Sequence, residues 1–191
     1  MKKSPIKRKS SLFEPHTDLI KKGKSQPAEE FGRRLLVSTQ QDGLILDYKI
    51  MGSGSETAEV VPLADRLLSN YGEGNLKGIS FDKGFSSQQD RELLELYIPE
   101  VVLPKKGRRS QADLQRERAP IWRKRKNAHS AVESDINCLE HHGLDRCPDK
   151  GFAGYKRYVG LGVLAYNLHK IGARILRNQA VADPPDRRKA A

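Results

Sequence analysis

The sequence predicts an α/β domain in which a mixed sheet is flanked by helices, and three observations carry that prediction. Its apolar segments follow the order strand, strand, helix, strand, helix, strand. Gln41-Asp42-Gly43 lies between two alternating apolar runs, the composition of a hairpin turn. Two later segments place apolar residues at steps of three and four: Val60 to Leu68, and Leu161, Leu164, Leu168, Ile171 and Ile175.

Residues 1–11 are rich in Lys, Arg, Ser and Pro and show no apolar period, so they read as a basic disordered tail. The domain is expected over residues 12–177. Residues 31–37 and 44–51 form the two strands of the hairpin; Leu44, Leu46, Tyr48 and Ile50 share one face, opposite Ile45, Asp47 and Lys49. Val60, Val61, Leu63, Ala64, Leu67 and Leu68 then mark a helix. A Gly-rich connection leads to a strand over residues 78–82. The spacing from Ser86 to Gln89 predicts a capping box for the next helix, which Pro99 ends. Val101-Val102-Leu103 reads as another strand. Residues 104–128 are basic with little apolar content and read as a linker or insertion, with a helix that leans on Ile121 and Trp122 as the alternative within it. Ser130 is placed to cap a helix through Val132, Ile136 and Leu139, closed by Gly143. A last helix begins near Phe152 or Tyr155, and residues 178–191 read as a disordered tail.

The net charge of +11 favours polyanionic partners. No run of about 18 apolar residues exists, which excludes a transmembrane helix, and no membrane partner is expected. Cys138 and Cys147 are too few for a disulfide framework and read as reduced in a cytoplasmic protein. Scarce aromatics argue against a base-stacking binder of single strands or RNA.

Chemistry is expected at Asp82 and Glu133. If Ile79 and Phe81 face the core, Asp82 points the other way at the end of its strand, where open α/β sheets place their sites. Glu133 shares a helix face with His129, Ile136, Asn137 and Glu140, whereas Asp135 falls on the opposite side and is expected to be solvated. Carboxylates from separate elements in a positive surround suit divalent-metal chemistry on phosphates. The basic residues Lys105, Lys106, Arg108, Arg109, Arg123, Lys124, Arg125 and Lys126, with His129, are candidates for DNA phosphate contacts.

Several ordered segments carry a resemblance. They are Ser11-Leu12-Phe13-Glu14-Pro15-His16-Thr17-Asp18 with Lys22-Gly23-Lys24, then Gly43-Leu44-Ile45-Leu46-Asp47, then Ser80-Phe81-Asp82-Lys83-Gly84-Phe85. His129-Ser130-Ala131-Val132-Glu133-Ser134, running on to Gly143-Leu144-Asp145-Arg146-Cys147, completes the set. Together they resemble the catalytic half of bacterial insertion-sequence DDE transposases.

The resemblance implies a ribonuclease H-like fold lacking its first strand, with Asp82 and Glu133 as the second and third acids of the triad. Asp18 and Glu14 are the acids upstream in a plausible place, and the first acid is then either Asp18 or missing. It implies Mg²⁺ or Mn²⁺ held by the acids, and hydrolysis followed by strand transfer at transposon ends. The partners implied are double-stranded DNA, both transposon ends and target, and a second copy of the chain as a homodimer. The location implied is the bacterial cytoplasm, at the nucleoid. Many relatives carry Tyr, Arg, Glu and Lys around the third acid; the matching positions here are Lys126, His129, Glu133 and Glu140. The family's long N-terminal region with its helix-turn-helix has no counterpart in these residues, so the chain reads as the C-terminal part of a transposase from a truncated or frameshifted gene.

Overall fold

A computed structural model describes residues 14, 16–21, 29–52 and 54–182. The fold is mixed α/β, in the order β1 (Asp18–Lys21), β2 (Glu29–Gly32), β3 (Leu35–Thr39), β4 (Ile45–Ile50), α1 (Val60–Tyr71), β5 (Gly78–Ser80), α2 (Gln88–Leu94), β6 (Glu100–Val102), α3 (Gln111–Arg118), α4 (Pro120–Leu139) and α5 (Gly151–Ala182). In place of one mixed sheet there are three pairs: β1 with β2 antiparallel, β3 with β4 antiparallel, and β5 with β6 parallel. The expected 1–11 tail lies outside the described residues.

The β3–β4 hairpin turns where Asp42-Gly43 was expected to turn it. Gly43 adopts φ 83°, a left-handed conformation that favours glycine, and its N–H donates to the Gln40 carbonyl. The expected strand over residues 31–37 is interrupted at Arg33-Arg34. Arg33 leaves the ladder to meet Asp18, and Arg34 reaches Glu56.

Helix α1 sends the residues of its period inward. Val60, Leu63, Ala64 and Leu67 are buried in one cluster with Leu36 of β3, Ile79 and Phe81 at β5, and Val101 of β6. Burying each large apolar side chain contributes about 1.5–3 kcal/mol, so this layer fastens both strand pairs to α1. On the opposite face, Ile45 packs with Leu139, Val163 and Tyr166, and Val37 leans on the same group. Two helical layers therefore enclose the strands. Helix α4 packs on β3, β5 and β6 together.

Other expectations shift for identifiable reasons. Ser87, not Ser86, caps α2 by accepting from the Asp90 N–H; the Ser86 hydroxyl accepts instead from the Lys106 N–H. The 104–128 stretch is helical in large part, and of the two residues expected to anchor a helix there Trp122 is buried and Ile121 is exposed. Ser110 and Asp113 form a reciprocal capping box that starts α3, and Pro120 occupies the first turn of α4, where its missing N–H costs nothing. Consequently α4 runs unbroken through position 130, and Ser130 is not a helix start. Gly143 at φ 101° ends the segment as expected. Helix α5 continues to Ala182, past the expected boundary at 178, because residues 178–182 hold no breaker before Asp183-Pro184.

Helix α5 meets the core through Val159, Val163 and Tyr166, while Leu161, Leu164, Leu168, Ile171 and Ile175 are exposed. The clearest apolar period in the sequence thus faces away from the core. No helix among the described residues is long and apolar enough to cross a membrane.

Candidate functional site

Strand alternation decides where Asp82 points. Ile79 and Phe81 are buried against α1, so Asp82 falls on the side of the strands that carries α4, and it is exposed. Its backbone is still extended, and its Oδ1 accepts from the Lys83 N–H at 2.7 Å, fixing the turn that follows. One carboxylate oxygen is thereby oriented by the backbone.

Helix α4 delivers the second acid. Arg125, near its start, pairs with Glu100 of β6 and lies against Gly78, where a Cβ would stand 2.5 Å from the guanidinium. At its far end, Cys138 and Leu139 pack with Val37 and Ile45. The helix therefore crosses from β6 and the start of β5 over to β3 and β4. The segment between, from Ala128 to Ile136, spans the gap.

Beneath that span lies a cleft of about 950 Å³. Its walls are residues 34–41 along β3, residues 75–82 along β5, Leu63, Leu67 and Tyr71 from α1, and one face of α4. That face presents Arg125, His129, Val132, Glu133 and Ile136. Asp82 and Glu133, fifty-one positions apart in the sequence, line the same cleft, and half-buried His129 is on its lining as well.

Asp18 lies elsewhere. It sits in a four-residue strand paired with β2 and forms an ion pair with Arg33 at 3.3 Å. Arg33 in turn stacks over Phe152 at the start of α5, which holds Asp18 at that end of the molecule, outside the cleft walls. Two of the three expected acids, Asp82 and Glu133, therefore line one cleft, and Asp18 does not.

Two acids were misread or missed. Asp135, expected in solvent, is 5% exposed. Its Oδ1 accepts from the Tyr166 hydroxyl at 2.6 Å and from Lys170 Nζ at 3.0 Å. Burial, then the Asp135 carboxylate, pushes the Tyr166 phenol up to about 12. The bond with Tyr166, then that with Asp135, raises Lys170. Asp113 is buried within the α3 cap. The bond from Lys105, then those from Ser110, hold its carboxyl well below the usual range.

The basic candidates divide likewise. Lys105 is engaged with Asp113, Arg109 with Glu117 and Arg125 with Glu100, while Lys126 lies over the Trp122 ring at 5.3 Å. Lys106, Arg108, Arg123 and Lys124 are exposed, with no acidic partner among the described residues. Sequence reading also passed over Arg34 and Glu56, which line the cleft as an ion pair at 3.1 Å. Their only signal was the break in apolar alternation before Leu35.

A hard divalent cation commonly takes one or two carboxylates from a protein and completes its shell with water and phosphate. Asp82 and Glu133 fit that donor set. Among the described residues, no group of three or more His, Cys, Asp or Glu is placed to hold a metal ion. Comparison with protein-family models, curated proteins and solved structures finds no match to this chain.

Proposed function

We propose that this chain is the catalytic part of a DDE-type transposase, a ribonuclease H-like domain whose cleft acts on phosphodiesters of transposon ends and target DNA. The observation that supports the reading is that Asp82 and Glu133, from separate elements, both line one cleft, with His129 and Arg125 on its α4 wall. The net charge of +11 suits the polyanionic substrate.

Asp82 and Glu133 would hold Mg²⁺ or Mn²⁺. Bound there, the metal supplies Lewis-acid activation of the nucleophile and stabilises charge on the leaving oxygen. In the first step a water oxygen bonds to phosphorus and the bond from phosphorus to the 3′ oxygen breaks, giving a 3′-hydroxyl and a 5′-phosphate. In the second, that 3′-hydroxyl attacks a target phosphodiester and a new 3′-hydroxyl leaves. His129, when protonated, donates to a non-bridging phosphate oxygen. Exposed Arg123 and Lys124 on α4 sit on the phosphate backbone and position it without reading sequence.

The location of Asp18 favours a second reading, a DNA-binding remnant with an incomplete acid set. Plasmid nicking separates the two. The catalytic reading expects Mg²⁺- or Mn²⁺-dependent nicking that Asp82→Asn or Glu133→Gln abolishes. Nicking that survives Asp82→Asn refutes it. Binding without nicking, steep in salt and indifferent to metal, establishes the remnant. In either case Arg123→Ala with Lys124→Ala should lower the salt slope by about 2.

A further inference from the structure

Helix α5 has two apolar faces, and the domain covers one of them. Val159, Val163 and Tyr166 are buried, and Lys170 turns the same way to reach Asp135 at 3.0 Å. Leu161, Leu164, Leu168, Ile171 and Ile175 step by three, four, three and four, and each is 43–60% exposed. At about 100° per residue, this stripe lies about 150° round the helix from the packed face. It therefore points out of the domain.

Spacing and width decide what shape fits the stripe. Alternating steps of three and four keep the side chains on one seam, at the first and fourth positions of a seven-residue repeat, which is how one helix packs along another. A seam this narrow takes a single partner helix. The domain already holds α5 in helical form, so pairing incurs no cost of forming that helix.

The positions beside the seam select among helices. In coiled coils, charged residues flanking the seam set partner choice. Here positions 160, 165, 167, 172, 174 and 179 are Gly, Ala, Asn, Gly, Arg and Gln. Arg174 is the one charge among them, and Asp42 pairs with it at 2.7 Å. A foreign helix of either charge finds no unpaired charge to read along these flanks, whereas a second copy brings an identical seam and meets no repulsion. Nothing lies within 4 Å of where a Cβ on Gly172 would stand, so another helix can approach closely there.

We propose that two copies of this chain pair through α5, with Leu161 to Ile175 of one helix packed against the same residues of the other about a two-fold axis. The seam lies across α5 from the packed face, so the two domains sit on opposite sides of the helix pair. This pairing is independent of whether the cleft acts on DNA.

Sedimentation equilibrium of the full chain, without DNA or metal, tests the pairing. The average mass should rise with concentration and level off at two copies, and Tm should rise with concentration as well. Leu168→Lys sets a charge in the middle of the seam on both copies and should weaken pairing roughly 100-fold or more. Leu164→Lys should do the same independently. Both side chains are already in solvent, so the circular dichroism of each variant should match that of the native chain. Leu96→Lys replaces an apolar side chain outside α5 that is 73% exposed, and should leave pairing unchanged. A chain that stays monomeric at every concentration overturns the proposal. So does a mass that passes two copies without levelling, pairing that survives both seam substitutions, or an equal loss from Leu96→Lys.

Discussion

Asp135 and Asp82 reach the same side of the strands, one from α4 and the other from the end of β5, and the chain uses them in opposite ways. Asp135 is enclosed between α4 and α5, with Tyr166 and Lys170 on one oxygen. Asp82 is exposed at the mouth of a cleft and orients one oxygen through its own backbone turn. A carboxylate whose partners are supplied by the protein serves the fold. One set on an open cleft that a second acid also lines is available to a ligand. Asp113 belongs with Asp135, and Glu133 with Asp82.

Stability measurements should separate the two groups, and the largest effect is expected at Asp135. Asp135→Ala leaves Lys170 without its carboxylate and Tyr166 without an acceptor. Breaking a buried pair costs about 3 kcal/mol or more, read as a lower midpoint in urea. A change under about 0.5 kcal/mol would place Asp135 with the surface residues and break the comparison.

A smaller and pH-dependent effect is expected at Asp113. Its folded pKa is depressed, so its contribution is present above the unfolded value of about 3.9 and is lost as pH falls toward the folded one. Asp113→Asn should therefore lower Tm by a constant amount above about pH 5, and the gap to the native chain should close in more acidic solution. A gap that widens on acidification would contradict the assignment.

The smallest effect is expected at the cleft. Asp82→Asn and Glu133→Gln should each change stability by less than about 0.5 kcal/mol, since neither acid supports packing. A loss comparable to that of Asp135→Ala would make the cleft acids structural.

These contrasts also explain what could be read from sequence. The hairpin at Asp42-Gly43, the inward face of α1 and the outward turn of Asp82 follow from local rules: a glycine at positive φ, a helical period, strand alternation. Asp135 was misplaced because α4 is covered on two sides, by the strands and by α5, so opposite faces of one helix are both occupied. Residues 104–128 looked like a linker because their helices rest on a cap, a proline and ion pairs rather than on apolar repeats. The stripe on α5 carries the complementary lesson. Periodicity locates a helix and a face, but not what that face meets. Separation of the strands into pairs was likewise illegible, because pairing depends on elements distant in sequence.

The central claim is that Asp82 and Glu133 form one ligand-accepting site, and Mn²⁺ binding tests it most directly. Paramagnetic broadening of amide signals during Mn²⁺ titration should centre on residues 80–84 and 129–136, and both Asp82→Asn and Glu133→Gln should remove it. Broadening centred on Asp18 or Asp135, or surviving either substitution, would contradict the account.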